Sequence, residues 1–210
     1  MRFEKTKEYL RRAKESFKKH LICNERALRG EAIFSFVGYI IVLFWALWLK
    51  FNDFYMVVLN YAWLSKMTIE ERFLYDIIPF RIRFDFWNQF IQFPANAIVF
   101  APMGVVLQHV FKKKNIWRDL AICFGVSLSI EVVQLFTIIG NFATADLIMN
   151  TLGYLIGFVV YRLIFSKIST PQMGWVYRVI NLILVPVLVV VVVTTVKNWD
   201  MIVAIITRTL

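Results

Sequence analysis

Polar side chains recur in three apolar stretches between residues 93 and 165, where a chain embedded in lipid carries few. They comprise two acids, Glu131 and Asp146, and three amides, Asn96, Gln134 and Asn150. A charged carboxylate at the centre of a bilayer costs about 2.5–3.5 kcal/mol on insertion scales. Glu131 therefore needs a compensating partner or a function, and an ionisable residue in such a position indicates a functional site.

The spacing of these side chains predicts that they converge. Glu131 and Gln134 are three residues apart, and Asp146 and Asn150 are four apart, so each pair shares one face of a helix. In antiparallel spans both pairs, together with Asn96, would lie at a similar depth near the outer surface. The sequence therefore predicts one polar pocket that opens outward.

Arg81 and Arg83 belong to the loop between the first two predicted spans, above the predicted pocket. A guanidinium group suits phosphate, whereas the acids would suit an amine or the hydroxyls of a sugar. The predicted ligand-binding set comprises Glu131, Gln134, Asp146, Asn150, Asn96, Arg81 and Arg83.

The sequence around this pocket lacks the residues that metal binding, nucleophilic catalysis or nucleotide binding would require. The two histidines, His20 and His109, lie elsewhere in the sequence, and Cys23 and Cys123 have no spacing typical of zinc. Two acids without His or Cys would be unusual for zinc, and no Ser-His-Asp set or glycine-rich phosphate loop is present. We therefore predict no metal and no cofactor, and the residues favour binding over catalysis.

Purely structural roles remain open for the same residues. Polar side chains in spans often form hydrogen bonds between helices, each contributing about 0.6 kcal/mol. Glu131 could pair with Gln134, a nearby serine or a loop arginine, and Asp146 could be the N-cap of its helix. The candidates for a hydrogen-bonding role alone are Asn96, Gln134, Ser127, Ser129 and Asn150.

Composition gives the fold class. The 210 residues are 60% hydrophobic and 17% aromatic, with mean hydropathy +0.64, which is too apolar for a soluble domain. We predict an all-α, polytopic membrane protein of about five transmembrane helices. The net charge of +10 is concentrated beside the spans, where it suits membrane orientation and lipid headgroups rather than nucleic acid. The predicted spans cover residues 32–49, 93–110, 120–139, 146–165 and 176–196.

The segments outside the spans define the predicted topology. Residues 1–30 predict a basic amphipathic helix on the cytoplasmic face, or a solvated charged helix that only sets orientation. The membrane domain covers residues 31–200, and residues 201–210 form a short outer tail. With the N-terminus inside, inner segments hold seventeen Lys and Arg and outer segments hold seven. This asymmetry predicts a cytoplasmic N-terminus and an external C-terminus.

Small residues predict which spans pack closely. Gly153 and Gly157 are four apart in the fourth span, and Ala97 and Ala101 give the second span a narrow face. Such patterns allow close approach of helix backbones. Together with the polar residues they predict a tight core of three helices.

Four motifs occur in an order that resembles the VanZ-like membrane proteins. They are IIPF at 77–80, Asn96 with FAPMG at 100–104, SLSIEVVQ at 127–134 and DLIMNTLG at 146–153. The resemblance covers about residues 75–165. One departure is Ala143, where the family often has an additional Asp, so a mechanism that needs paired acids in that turn is not supported.

The resemblance implies a role in the envelope of Gram-positive-type bacteria, in the cytoplasmic membrane, linked to low-level resistance to teicoplanin and related lipoglycopeptides. Our first hypothesis is a non-enzymatic protein that binds or shields a lipid-anchored ligand, namely a lipoglycopeptide or a cell-wall precursor, among the membrane lipids. The second is an intramembrane enzyme that modifies an envelope lipid with Glu131 as general acid or base. The third is a small transporter, although no internal repeat is present. A structural subunit of a larger complex is the fourth.

Overall fold

A computed structural model of the protein describes residues 8, 25–49, 65–80, 86–136, 141–197, 199 and 203. These ranges contain six α-helices and one turn of 3₁₀-helix, Phe165–Lys167. The helices are α1 (Glu25–Leu49), α2 (Ile69–Tyr75), α3 (Phe86–Val110), α4 (Ile116–Phe136), α5 (Thr144–Leu163) and α6 (Thr170–Lys197).

Five of these helices, all except α2, are long and apolar enough to cross a membrane. The prediction of an all-α protein with five spans is confirmed. α1 and α6 begin several residues before the predicted apolar stretches, at Glu25 and Thr170. A helix continues beyond its apolar part because each further turn satisfies backbone hydrogen bonds within the segment.

The closest helix packing joins α3 to α5, as the small residues predict. A Cβ added to Gly153 would overlap the carbonyl oxygen of Ala97, and one added to Gly157 would overlap that of Ala101. Gly104 of α3 meets the backbone of α5 in the same way. Because the contacts advance together along both helices, α3 and α5 run parallel. Their contact forms the centre of the core, with buried side chains that include Phe100, Met103, Leu107, Ile130 and Tyr154.

α6 packs against α1 through a small polar cluster. Ser35 Oγ donates to Asn181 Oδ1 at 2.5 Å, and Asn181 Nδ2 donates to Glu31 Oε2 at 2.7 Å. Nearer the middle of the helices, Gly38 leaves room for the side chains of Leu184 and Leu188. The rest of α6 is largely exposed, and its Val-rich sequence suits a surface that faces lipid.

The alternation of the spans gives the bundle two distinct ends. The basic end comprises the starts of α1, α4 and α6, the ends of α3 and α5, and the loop 111–115. The far end comprises the end of α4, residues 141–143, the start of α5, and α2 with residues 76–80. Of the predicted segments, most of residues 1–30, both Arg81 and Arg83, and most of the tail 201–210 lie outside the described residues.

Candidate functional site

One face of α4 carries a row of buried polar side chains. Ser127, Glu131 and Gln134 follow each other at intervals of four and three residues, and they are 0%, 2% and 4% exposed. This spacing places them on one side of the helix. Ser127 and Glu131 of this row contact α5, through Asn150 and Ala143 respectively.

Glu131 is held by the beginning of α5. Its Oε2 accepts a hydrogen bond of 2.8 Å from the backbone N–H of Ala143, the N-cap residue of that helix. An alanine side chain cannot cap a helix, and no side-chain cap bond is present at Ala143. The first backbone N–H groups of a helix lack partners within it and carry partial positive charge, so a carboxylate is well placed there.

One turn deeper, Asn150 joins α5 to α4. Its Nδ2 donates to Ser127 Oγ at 2.8 Å, and its backbone carbonyl lies 3.8 Å from Cys123 Sγ. Asn150 is only 2% exposed, and none of the described residues donates a hydrogen bond to its Oδ1. The Asn150–Ser127 bond is the interhelical link that sequence reasoning left open, and it leaves one buried acceptor unused.

A buried arginine closes the far end. Arg72 of α2 is 6% exposed, and its Nη1 donates to the carbonyl oxygen of Leu135, in the last turn of α4, at 2.8 Å. That carbonyl belongs to the group of helix-terminal acceptors without intrahelical partners. Burial lowers the pKa of the Arg72 guanidinium, although an arginine stays protonated at physiological pH. No described residue accepts a hydrogen bond from Arg72 Nε.

The chain after α2 is tied to the start of α5. Thr144 donates through its backbone N–H to the Asp76 carbonyl at 3.3 Å, and its Oγ1 donates to the carbonyls of Asp76 and Ile77. Asn141 Nδ2 donates to Asp76 Oδ2 at 3.1 Å. These bonds place α2 and residues 76–80 over the ends of α4 and α5. We call α2 together with residues 76–80 the cover.

The same region is matched by a model of a known protein family. The family described as VanZ/LLP1 matches residues 36–165, which is more than half of the chain. The chain belongs to the VanZ/LLP1 family. It is also similar to Protein VanZ of Enterococcus faecium, with 26% identity over 152 residues that cover 72% of this chain and 86% of the relative. No solved structure gives a significant match.

The VanZ/LLP1 match is longer than the resemblance predicted from the sequence, which covers about residues 75–165. Both end at residue 165, but the match begins at residue 36. It therefore includes most of α1 and the whole of α2, in addition to α3, α4 and α5. α6 lies outside it. Every buried polar group of the far end described above falls within the family region.

Two predicted site residues of this VanZ/LLP1 protein lie at the margin of the far-end polar residues. Asp146 is half-buried in the first turn of α5. It is three residues past the N-cap, so it is not the capping residue, although an acid in a first turn suits the positive end of a helix. Asn96 is half-buried on α3, next to the Ala97 contact with Gly153.

Two buried charged residues, Arg72 and Asp119, were not predicted as site residues from the sequence. Arg72 was counted only as a loop charge, although the helix that carries it has a capping box, Thr68 with Glu71, that is visible in the sequence. Asp119 at the basic end is 0% exposed and accepts bonds from Gln108 Nε2 at 2.9 Å and from the Arg118 guanidinium at 2.6 Å. It lies on α4, twelve residues before Glu131.

The far-end residues have the chemistry of a binding site for a polar group. Carboxylate, guanidinium and amide groups occur between α4, the start of α5 and the cover, and three of their polar atoms lack a partner among the described residues: Arg72 Nε, Asn141 Oδ1 and Asn150 Oδ1. Within the same ranges, no three His, Cys, Asp or Glu side chains lie together as a metal site requires.

Proposed function

We propose that the protein binds the polar headgroup of a lipid-anchored ligand at the far end and thereby shields that ligand in the outer leaflet. The observation that carries the proposal is the buried set of Glu131, Asn150 and Arg72, in which hydrogen-bonding capacity is left over. A buried polar atom without a partner costs about 1–3 kcal/mol. A ligand that supplied the missing partners would recover that free energy on binding.

The cover supports a ligand that arrives from the lipid. Arg72 points into the bundle, whereas Ile69, Phe73 and Leu74 of the same short helix are exposed. Ile78 and Phe80, farther along the cover, are exposed as well. An amphipathic segment of this kind lies in the membrane interface. Acyl chains could therefore pack against its outer side while the headgroup reaches the buried groups beneath it.

Access requires the cover to move. The hydrogen bonds that hold it include those from Arg72 to Leu135, from Thr144 to the 76–77 backbone and from Asn141 to Asp76. Phe80 at its end has φ of 57°, a conformation that is strained for a residue with a side chain. A short segment at the rim of the bundle with a strained end is suited to opening and closing.

Teicoplanin and related lipoglycopeptides, or a lipid-anchored cell-wall precursor, have the chemistry that this site would recognise. Both types of ligand combine an acyl or polyprenyl anchor with sugars. The precursor adds phosphate, which Arg72 and the predicted loop residues Arg81 and Arg83 would suit. The family resemblance supports the same choice, because it implies a link to resistance against this class of antibiotic.

The test is the teicoplanin susceptibility of a sensitive host that expresses the wild type, Glu131→Gln or Asp146→Asn at matched membrane abundance. Glu31→Gln is the matched control, since it neutralises a carboxylate in a span at the opposite end of the bundle. We expect protection by the wild type and by the control, and loss of protection with Glu131→Gln. Equal protection by all four proteins would refute a role for the far-end site.

A second experiment tests binding directly. The protein is purified in mild detergent, and lipids that remain bound are identified by mass spectrometry, for the wild type and for Asn150→Leu. We expect a bound lipid-anchored molecule in the wild type, reduced at least tenfold in the variant. If no such molecule is found and added teicoplanin does not bind, the proposal fails.

A proton-coupled carrier is a second candidate, favoured by one observation. Asp119, Cys123, Ser127 and Glu131 follow one another at intervals of four residues, are all buried, and extend over about 18 Å of α4 at 1.5 Å per residue. A buried row of this length with acids at both ends is typical of a proton path. Proton uptake into proteoliposomes that is abolished by both Asp119→Asn and Glu131→Gln would favour the carrier over the binding protein.

A further inference from the structure

A cavity of about 780 Å³ lies at the basic end, away from the far-end site. Four parts of the fold enclose it: the first turns of α1, the end of α3 with the loop that follows, the end of α5 with its 3₁₀ turn, and the start of α6. Its volume is in the range of small-molecule sites in proteins, about 300–1,000 Å³. The proposed function does not use this cavity.

The lining of the cavity is strongly basic. Arg26, Arg29, Lys112 and Lys114 contribute four positive charges, and Glu25 contributes the one negative charge among the lining residues. The nearby acid Asp119 lies behind Gln108 and is already paired with Arg118 at 2.6 Å. The cavity is therefore electrostatically suited to an anion.

Contacts with neighbouring helices hold two of the cations in place. Arg29 Nε donates to the carbonyl of Val110 at 2.7 Å, at the end of α3, which leaves its remaining N–H groups for a ligand. Lys114 Nζ donates to Tyr161 Oη and lies 4.7 Å from the centre of that ring. A cation whose position is fixed by the fold loses less side-chain entropy when it binds an anion.

The wall of the cavity is also partly apolar. Leu28, Phe111, Phe165 and Met173 lie beside the charged groups. On the same side, His109 Nδ1 and Tyr177 Oη are hydrogen-bonded at 2.9 Å, and the histidine ring packs edge-on against Tyr161 and Tyr177. Basic groups next to an apolar wall at the end of membrane spans match the headgroup region of an anionic lipid.

We propose that this cavity binds a phosphate-bearing anion, in the first place the headgroup of an anionic phospholipid from the leaflet at the basic end. Its phosphate would lie among Arg26, Arg29, Lys112 and Lys114, and its acyl chains would leave between the spans. A free phosphate or a phosphate monoester would share the same recognition chemistry. The proposal stands independently of any role of the far-end site.

The preceding chain segment is a poor alternative occupant. Residues 1–24 precede α1 in the sequence, and they carry eight Lys and Arg against three Glu. Like charges on the segment and the lining disfavour their contact. An anion from the membrane or from solution would instead be attracted by both.

The test compares two double variants of the full chain that remove equal charge from the same end of the protein. Arg26→Gln with Lys112→Gln changes the lining, whereas Lys113→Gln with Arg162→Gln changes two exposed neighbours that do not line the cavity. Binding of phosphatidylglycerol is measured by native mass spectrometry against phosphatidylcholine. Inorganic phosphate and glycerol 1-phosphate are titrated in a separate arm by calorimetry. A third variant, Ser166→Trp, narrows the cavity without changing any charge.

We expect phosphatidylglycerol to bind the wild type, with affinity at least tenfold lower in the lining variant and in Ser166→Trp, and within twofold of the wild type in the control. Binding of phosphate or glycerol 1-phosphate with the same pattern would support the site and identify a soluble anion as its ligand. Equal losses in the lining and control variants would show that only general surface charge acts, and would overturn the proposal. Absence of binding of all these probes to the wild type would overturn it too.

Discussion

The carboxylate of Glu131 and the backbone N–H of Ala143 form a hydrogen bond of 2.8 Å between two spans. Ala143 is the N-cap residue of α5, and its own side chain has no oxygen to offer. An N-cap side chain would accept from N–H groups two or three residues further along, so Glu131 does not replace it. Instead, α4 supplies an acceptor for the N–H of Ala143 itself. Glu131 has a structural role in joining the two helices, in addition to any contact with a ligand.

Removal of the Glu131 carboxylate should destabilise the protein, whereas its replacement by the neutral side chain of glutamine should not. In Glu131→Ala the Ala143 N–H loses its partner, which costs about 1–3 kcal/mol for a buried group. In Glu131→Gln the amide oxygen can still accept the bond, so we expect a change below about 1 kcal/mol. Thermal unfolding in detergent measures the difference. A loss of stability with Gln as large as with Ala would show that the negative charge, and not the hydrogen bond, holds α5.

Substitution of Gly157 by alanine should separate α3 from α5. The added methyl group would overlap the carbonyl oxygen of Ala101, and backbone atoms on both helices would have to move. We expect destabilisation of about 3 kcal/mol, at the upper end of the usual cost of overpacking. Gly125→Ala is the matched control, because its new methyl group meets nothing within 4 Å on the exposed face of α4. A helix gains about 1 kcal/mol when alanine replaces an exposed glycine.

The stability of both glycine variants can be compared by the fraction that remains monodisperse after heating in detergent. Gly157→Ala should aggregate at a lower temperature than the wild type, and Gly125→Ala should not. If the two variants behaved alike, the α3–α5 contact would not limit stability.

The α3–α5 contact was predictable because its signal is local. Glycine and alanine at intervals of four already define a narrow helix face, and a close approach needs little else. The same is true of the five spans, whose length and apolar character are properties of single segments. The polar spacing on α4 likewise predicted that Glu131 and Gln134 share a face.

The partners of the buried polar groups were not predictable in the same way. Arg72 bonds a backbone carbonyl, and every residue has one, so the sequence carries no mark at Leu135. Glu131 also bonds a backbone group, at an alanine that looks unremarkable in the sequence. Asp119 lies one residue before the predicted apolar span 120–139. Its hydrogen-bond partner Gln108 belongs to a different helix. Such contacts arise from tertiary packing.

Loss of the Arg72 side chain should release the cover. In Arg72→Ala the Leu135 carbonyl loses its donor and α2 loses its one buried side chain. We expect the amides of residues 69–75 to exchange hydrogen about tenfold faster, which corresponds to about 1.4 kcal/mol of lost local stability. Lys66→Ala, an exposed lysine just before α2, is the control and should leave exchange unchanged. Unchanged exchange in Arg72→Ala would show that the other bonds, among them those of Thr144 and Asn141, hold the cover without Arg72.

Labelling of single cysteines should place the far end outside the cell. In a chain with Cys23→Ser, the remaining Cys123 is buried, so a cysteine introduced at an exposed position reports on that position. Ser65→Cys lies at the far end and Lys113→Cys in the basic loop, and both side chains are exposed. Because the Lys and Arg asymmetry predicts a cytoplasmic basic loop, a membrane-impermeant maleimide should label Ser65→Cys in intact cells. It should label Lys113→Cys only after permeabilisation. The reverse pattern would put the Glu131 site on the cytoplasmic side, where it could not shield a ligand of the outer leaflet.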